Sequence, residues 1–120
     1  MIEYDFVVVG TGVSGLSFAL EASKYGSVAV ITKRASENSN TTWAQGGICC
    51  VADDEDSFES HIADTVDAGA GLCDHDIVKT IVESAPSAIE KMVNIGVQFD
   101  RNSSGRYELG KEGGHSQRRV

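Results

Sequence analysis

Three glycines near the N terminus have the spacing of a phosphate-binding loop. In the stretch GTGVSG, Gly10, Gly12 and Gly15 follow the pattern G-x-G-x-x-G. Gly10 permits a tight turn, Gly12 lets the backbone approach a pyrophosphate, and Gly15 lets a helix pack close to a strand. A helix that begins here also directs unpaired N–H groups and a partial positive charge at the phosphates. The spacing predicts dinucleotide binding; a glycine-rich turn that binds nothing is the alternative.

The residues on either side of the glycines predict the βαβ unit that such a loop requires. The stretch YDFVVVG is a short apolar run rich in β-branched residues, which predicts a buried strand. Leu16 and Leu20 then recur at a helical interval, and Gly26 lies where this helix is expected to end. The stretch SVAVIT predicts the second strand.

The residues after the second strand leave the identity of the dinucleotide open. NAD- and FAD-binding versions usually place an acidic residue about 20 positions beyond the glycines, where it binds the ribose hydroxyls. This chain has Thr32, Lys33 and Arg34 there instead. One interpretation is NADP, with Lys33 or Arg34 binding the 2′-phosphate. The other is FAD in a flavoprotein group that uses lysine at this position.

The uncharged segment NTTWAQGG favours FAD. A flavin ring is flat, mostly apolar on its faces and polar along one edge, so a loop beside it needs small residues and hydrogen-bonding groups. The segment has hydroxyl groups, an amide and small residues, namely Thr41, Thr42, Gln45, Ala44, Gly46 and Gly47. Trp43, taken alone, is expected to pack in the core, because tryptophan is highly buried on average.

Five stretches in this order resemble the N-terminal part of the L-aspartate oxidase family, within the succinate dehydrogenase and fumarate reductase flavoprotein superfamily. They are VVVGTGVSGLSFAL, VAVITK, SNTTWAQGGI, SFESHIADTVDAGAGLCD and KEGGHSQRRV. The resemblance implies an FAD along the glycine loop, with Lys33 at the adenosine end and residues 40–47 beside the flavin. The cofactor-binding residues that it implies are Gly10, Thr11, Gly12, Val13, Ser14, Gly15, Lys33, Asn40, Thr41, Thr42, Trp43, Ala44, Gln45, Gly46 and Gly47.

One position in this segment bears on how FAD is held. In the respiratory members of the superfamily, a histidine just before the position of Thr41 is bonded covalently to the flavin. This chain has Asn40 there, and an amide cannot form that bond. The resemblance therefore implies non-covalent FAD and favours aspartate oxidase over a respiratory flavoprotein subunit.

The last block, KEGGHSQRR, contains the expected substrate-binding residue. Its candidate groups are Glu112, His115, Arg118 and Arg119. The resemblance implies that Glu112 orients the α-ammonium group of L-aspartate, while His115 and Arg118 either line the site or are structural. Without the resemblance, the block predicts an exposed hairpin with scattered charges.

The resemblance also implies a reaction and its partners. L-Aspartate is oxidised to iminoaspartate with FAD as cofactor and with oxygen or fumarate as the final acceptor. The product leads to quinolinate and NAD biosynthesis, so quinolinate synthase is a candidate partner. A flavoprotein fragment of the fumarate reductase or succinate dehydrogenase type, or an NADP-binding Rossmann module without its own activity, is the alternative.

Family members are several times longer than 120 residues, so we expect a fragment, a split gene product or a truncated chain, with the missing remainder of the protein as its partner. The predicted fold class is α/β, and residues 1–120 form the N-terminal part of a Rossmann-like FAD-binding domain. It consists of a βαβ unit, then helices and a short β-hairpin. We expect the rest of the FAD domain, a capping domain and a helical C-terminal domain to be absent, and the chain alone to be inactive.

The middle of the chain predicts scaffold helices. One begins with Asp56 or Ser57 as its N-cap and carries His61, which is expected to be structural and hydrogen-bonded. Pro86 separates two further apolar stripes, so we expect a new helix that begins near Ser84. Two short strands, VQF and RYEL, are then predicted around the turn NSSG.

Composition and charge bear on partners and compartment. The formal net charge is -8, which disfavours nucleic acid and anionic membranes because phosphate contacts need clustered Lys and Arg. No apolar run approaches the ~20 residues of a membrane span, and the acidic N terminus does not fit a signal peptide. We expect a cytoplasmic protein without a membrane segment. The acidic run DDED, residues 53–56, predicts a solvated loop.

The cysteines lack the spacing of a disulfide framework or a zinc site. Two of them are adjacent, and their number is odd: Cys49, Cys50 and Cys73. We expect reduced and mostly buried thiols, and no bound metal.

Overall fold

The chain begins as a strand, a helix and a second strand, and it continues as helices and loops. The computed structural model describes residues 1–33, 35, 38–44 and 47–119. Within them, the elements in chain order are β1 (Phe6–Val9), α1 (Val13–Ala22), β2 (Val28–Ile31), α2 (Asn40–Trp43), α3 (Phe58–Ala68) and α4 (His75–Asn94). No helix in this part of the chain is long and apolar enough to cross a membrane. The chain divides into two compact units, Met1–Gly46 and Gly47–Val120, each with its own internal packing.

The first unit is a βαβ unit, as the sequence predicts. β1 and β2 are parallel neighbours, in register from the pair Phe6↔Val28 to the pair Val9↔Ile31. A parallel pair needs a crossover connection, and α1 supplies it and packs against both strands. The carboxyl ends of the two strands therefore meet at one edge of the sheet, where the glycine loop begins.

The strand β1 is less buried than its apolar sequence predicts. Val8 is 8% exposed, whereas Val7 and Val9 are 57% and 83% exposed. Side chains alternate between the two faces of a strand, so Val8 lies on the face covered by α1 and its neighbours lie on the other. The helix shows the same contrast, with Ala19 buried and Leu20 exposed. The prediction of a buried strand is wrong because, among the described residues, a helix packs on one face of the sheet.

The second unit is built on α3 and α4, which pack against each other. Ser57, one of the two predicted N-caps, caps α3: its Oγ accepts a hydrogen bond from the N–H of Ser60 at 3.1 Å. Asp74 caps α4, and one of its oxygens accepts bonds from the second and third N–H groups of the helix, at 3.0 and 3.1 Å. Each cap satisfies donors that a helix leaves unpaired in its first turn.

Pro86 lies inside one continuous helix, so the prediction of a new helix beginning near Ser84 is wrong. The buried residues of α4 are Val78, Val82 and Ile89. They are four and seven positions apart and therefore share one face. Packing this face against α3 favours a single helix, although Pro86 lacks the N–H that would donate to the carbonyl of Val82. Ser84 is no cap, because its Oγ donates to the carbonyl four residues earlier, at 2.7 Å.

A tight turn replaces most of the predicted hairpin. The Oδ1 of Asn102 accepts hydrogen bonds from the N–H groups of Ser104 at 3.0 Å and Arg106 at 3.1 Å. Around it the backbone pairs at the antiparallel bridge Arg101↔Tyr107, where the N–H groups of Asn102 and Glu108 donate to the carbonyls of Arg106 and Asp100, each at 2.9 Å. The guanidinium of Arg101 lies 4.3 Å from the ring centroid of Tyr107. The turn is confirmed, but VQF and RYEL are not strands, because the backbone pairing beside the turn is limited to an isolated bridge.

Candidate functional site

Gly10 and Gly15 are required by the fold around them. Gly10 follows β1 with a φ of +109°, which side chains rarely adopt, and its N–H donates to the carbonyl of Ile31 at 2.8 Å. A Cβ on Gly15 would collide with the carbonyl oxygen of Gly10 and lie 3.5 Å from Cγ1 of Val8. Glycine at these two positions therefore lets the loop turn and lets α1 pack close to β1.

Gly12, in contrast, is not required by the fold. It is the N-cap of α1 with an ordinary φ of -73°, and a Cβ placed on it would meet Oγ1 of Thr41 at 3.5 Å, a normal contact distance. A ligand that must approach the backbone here, such as a pyrophosphate, explains a glycine that the protein itself does not need. The loop therefore fits a dinucleotide.

The threonine-rich segment lies against the N terminus of α1. Oγ1 of Thr41 accepts a hydrogen bond from the N–H of Val13 at 3.1 Å. The N–H of Ser14 follows in the same turn, where a helix leaves its N–H groups without an intrahelical partner. α2 begins at the cap Ser39, whose Oγ accepts from the N–H of Thr42 at 3.2 Å. Two predicted parts of the site, the glycine loop and this segment, are thus adjacent.

Thr11 and Lys33 lie at the same edge of the sheet. The Oγ1 atoms of Thr11 and Thr32 are 3.5 Å apart, because β1 and β2 end side by side. Lys33 comes next and is exposed, so its ammonium group is available to a ligand beyond the carboxyl end of β2. Three residues that the sequence singles out lie outside the described residues: Arg34, Gln45 and Gly46.

Trp43 is exposed, and the prediction that it packs in the core is wrong. Its relative exposure is 72%. α2 is a single turn of four residues without a buried side chain, so it offers no core for the ring. Asn40, Ala44 and Gly47 are exposed as well. An exposed indole suits a flat ligand, and its contact with a flavin stays a prediction.

Glu112 lies in a loop that an antiparallel bridge closes. The backbones of Gly110 and Arg119 exchange two hydrogen bonds of 2.8 Å. Within the loop, the carbonyl of Glu112 accepts from the N–H of His115 at 3.1 Å, and the N–H of Glu112 donates to Nδ1 of His115 at 3.3 Å. Gly114 makes the turn with a φ of +87°. The backbone of Glu112 is therefore fixed, while the residue is exposed and available to a cationic group.

The side chain of Arg119 ties this loop to the start of α3. Arg119 is 1% exposed. Its Nε and Nη2 donate to the two oxygens of Asp56 at 2.7 and 3.1 Å, and its Nη1 donates to Asp64 at 2.7 Å. The prediction of a solvated loop is wrong at Asp56, whose side chain is 2% exposed. A planar guanidinium pairs with both carboxylate oxygens and takes the place of water.

The network shifts the pKa values of its members. Burial alone would raise the pKa of Asp56, but hydrogen bonds from Arg119, Ser57 and Ser60 and the charge of Arg119 together outweigh burial and lower this pKa. For Asp64, the hydrogen bond from the N–H of Ser116 lowers the pKa most. Burial acts in the opposite direction, and Arg119 lowers the pKa further, so the pKa of Asp64 falls to about 2. Burial alone would lower the pKa of Arg119, but the two carboxylates raise it overall. The network is therefore ionic at neutral pH.

Cys49, His115 and His61 form a second cluster beside the loop. Sγ of Cys49 lies 3.4 Å from Nε2 of His115, and the two histidine rings meet edge-on with centroids 6.2 Å apart. Burial raises the pKa of Cys49 and lowers the pKa of His61. His61 is 8% exposed, and among the described residues its Nδ1 has no hydrogen-bond partner. The prediction of a hydrogen-bonded His61 is therefore wrong at this atom. Cys49, Cys50 and Cys73 are free thiols, as predicted, but the expectation that most of them are buried is wrong, since only Cys50 is buried.

Residues 5–120 match the family described as FAD binding domain. The chloroplastic L-aspartate oxidase of Oryza sativa subsp. japonica is 49% identical over 117 residues, which cover 98% of this chain and 18% of that protein. The L-aspartate oxidase of Vibrio cholerae serotype O1 is 45% identical over 121 residues, which cover 97% of this chain and 23% of that protein. The chain thus spans about a fifth of the length of these relatives.

Two solved structures share the fold along nearly the whole chain. The E. coli quinol fumarate reductase has a TM-score of 0.91 at 33% identity, covering 99% of this chain and 21% of its own. The apo Mycobacterium smegmatis Sdh1 complex has a TM-score of 0.88 at 30% identity, covering 98% of this chain and 20% of its own. These matches confirm the predicted α/β fold of the N-terminal part of a flavoprotein.

Proposed function

Because the chain belongs to the FAD binding domain family, we propose that it is the FAD-holding N-terminal segment of a flavin-dependent L-aspartate oxidase. The observation that carries this proposal is its identity of 49% and 45%, along almost its entire length, to two L-aspartate oxidases. The fumarate reductase and Sdh1 structures share the fold at lower identity, 33% and 30%.

FAD is the cofactor of this family, and the first unit offers groups suited to it. The start of α1 provides N–H groups for the pyrophosphate, and Gly12 leaves room for it. Lys33 would bind the adenosine end, and residues 40–47 would lie beside the flavin. Asn40 has an amide and no nucleophilic nitrogen, which supports non-covalent binding.

Glu112 is the proposed substrate-orienting residue. Its carboxylate is exposed on a fixed loop, where it would pair with the α-ammonium group of L-aspartate through a charge-assisted hydrogen bond. Such a pair selects an amino dicarboxylate over fumarate or succinate, which have no ammonium group.

The proposed reaction removes two electrons from the substrate. L-Aspartate would lose a hydride from Cα and a proton from its amino group and become iminoaspartate. A bound FAD would supply the acceptor for these two electrons, which end on oxygen as hydrogen peroxide or on fumarate as succinate. The role of this chain is to hold the cofactor and to orient the substrate.

The product suggests a place in metabolism. Iminoaspartate is unstable, so an enzyme that consumes it promptly is needed, and quinolinate synthase on the route to NAD is the proposed partner. The rice relative is described as chloroplastic and the Vibrio cholerae relative is not. The cytoplasmic location expected from the sequence therefore stays a prediction.

A fumarate reductase or succinate dehydrogenase type of flavoprotein is the second candidate, favoured by the TM-score of 0.91. The two candidates differ in whether binding of their substrate requires the carboxylate of Glu112. An aspartate oxidase needs a negative charge opposite the ammonium group, whereas a fumarate reductase does not.

The substitution Glu112→Gln in the full-length protein that carries this segment tests the proposal. A charge-assisted bond contributes roughly 1.5–3 kcal/mol against about 1 for a neutral one, so kcat/KM for aspartate should fall about ten-fold. Fumarate reduction should fall much less. Glu108→Gln is the matched control, since Glu108 is an exposed glutamate four positions away. Equal losses for both substrates would assign Glu112 to the fold or to cofactor binding.

A further inference from the structure

The ring of His115 lies between the backbone of Glu112 and the thiol of Cys49. Nδ1 of His115 is 3.3 Å from the backbone nitrogen of Glu112, and Nε2 is 3.4 Å from Sγ of Cys49. Both nitrogens of the imidazole are therefore engaged, one on the loop of the proposed substrate-orienting residue and one on a residue 66 positions earlier in the chain.

The donor and acceptor roles along this chain of contacts follow from chemistry. A backbone N–H only donates, so Nδ1 of His115 accepts and carries no proton. The neutral ring then carries its proton on Nε2, and this N–H is directed at the sulfur of Cys49, which accepts. The hydrogen-bond network thus assigns one tautomer to His115.

The surroundings hold the ring in this orientation. Cys49 is half-buried, and its neighbour Cys50 is 3% exposed, so the thiol lies on a packed segment. The ring of His61 meets the His115 ring edge-on. His115 is therefore anchored on its far side, while its Nδ1 holds the exposed loop residue Glu112.

We propose that His115, held by Cys49, is a positioning residue that fixes the backbone of Glu112 and thereby the direction of its carboxylate toward the substrate ammonium group. This inference rests on the proposed function of Glu112. Glu112 contacts the substrate, and His115 acts through it.

Two substitutions at His115 in the full-length protein distinguish the roles of the two ring nitrogens. The Oδ1 of asparagine lies near the position of Nδ1 and accepts a hydrogen bond, whereas the longer glutamine places its polar atoms near Nε2. His115→Asn keeps an acceptor for the N–H of Glu112 but loses the contact with Cys49, so it should raise KM for aspartate about three-fold, while His115→Gln should raise KM about ten-fold, with a smaller change in kcat. Equal effects of the two substitutions would overturn the inference.

A spectroscopic measurement on the wild-type protein tests the tautomer of His115 without relying on activity, and one variant then tests the contact with Cys49. With 15N-labelled histidine, the two-bond 1H–15N spectrum should show His115 as the neutral tautomer protonated on Nε2. Cys49→Ala should move the Nε2 resonance of His115 and leave that of the exposed His75 in place. A proton on Nδ1 of His115 in the wild type would overturn the inference.

The two proposals fail in different ways. If Glu112→Gln leaves KM for aspartate unchanged, the proposed function of Glu112 fails, and with it the role of His115 toward the substrate. If Glu112→Gln raises this KM but the two His115 variants behave alike, the inference about His115 alone is overturned.

Discussion

The glycines of one loop lack a side chain for different reasons. Gly10 has a left-handed backbone, and Gly15 packs against the carbonyl of Gly10, so both serve the fold. Gly12 has an ordinary backbone with space for a Cβ, so the fold does not require a glycine there, and the proposed approach of a pyrophosphate would account for it. The sequence motif has glycine at all three positions, whereas the space that an added Cβ would find differs between them.

Gly12→Val and Gly15→Ala should therefore change different properties of the full-length protein. Gly12→Val places a branched side chain where the pyrophosphate is proposed to approach, so the Kd for FAD should rise about ten-fold or more. Gly15→Ala should lower the free energy of unfolding by roughly 1–3 kcal/mol, because overpacking forces the backbone to move. Flavin fluorescence titration and urea denaturation measure the two quantities. Unchanged FAD affinity in Gly12→Val would mean that the phosphates bind elsewhere.

The lowered pKa of Asp64 makes the stability of the fold depend on pH in the acidic range. Its pKa in the folded chain is about 2, below the ordinary value of 3.8. A lowered pKa contributes stability that is present above the ordinary value and is lost as the pH falls toward the folded value. Stability should therefore decrease between about pH 4 and pH 2. Asp64→Asn should lower stability at neutral pH and flatten this decrease, whereas Asp67→Asn, at an exposed position of α3, should do neither. Parallel pH profiles for Asp64→Asn and the wild type would contradict this role.

The helix α4 shows packing overriding a local signal. Pro86 predicts a helix boundary, but Val78, Val82 and Ile89 form one buried face across it. A proline inside a helix removes one hydrogen bond and crowds the preceding turn. The helix therefore forms in spite of Pro86 and retains a local cost.

Replacing Pro86 with alanine should relieve that cost. Pro86→Ala restores an N–H that can donate to the carbonyl of Val82, and alanine is favoured over proline by about 3 kcal/mol in a helix interior. Proline also restricts the unfolded chain, and losing this restriction offsets part of the gain. We therefore expect the free energy of unfolding to rise by about 1–2 kcal/mol. Urea denaturation measures it, with Ser87→Ala as the neighbouring control. A loss of stability in Pro86→Ala would show that Pro86 serves the packing.

Local patterns explain why some of this architecture is predictable from sequence. The βαβ unit depends on neighbouring residues: β-branched runs, a glycine loop and a short helix, so its order is confirmed. The N-cap Ser57 and the turn at Asn102 are likewise local. The pair of Arg119 with Asp56 spans 63 positions, and no local pattern distinguishes this buried arginine from its exposed neighbour Arg118.

The molecule as a whole is a segment of a larger architecture in its relatives. It spans about a fifth of the length of the L-aspartate oxidases that it matches. Within the first unit, Val7, Val9 and Leu20 are exposed apolar residues. They lie on a sheet and a helix that the fumarate reductase structure shares. The claim that connects the segment to a function is that its glycine loop and residues 40–47 hold FAD.

A competitive titration of the full-length apoprotein with FAD and NADP tests this claim most directly. FAD and NADP share a pyrophosphate, and they differ in the flavin ring and the 2′-phosphate. If the segment holds a flavin, FAD should bind at least about ten-fold more tightly than NADP, and Gly12→Val should weaken FAD binding. Tighter binding of NADP than of FAD would contradict the account, because Lys33 would then serve a 2′-phosphate and residues 40–47 would have no flavin to hold.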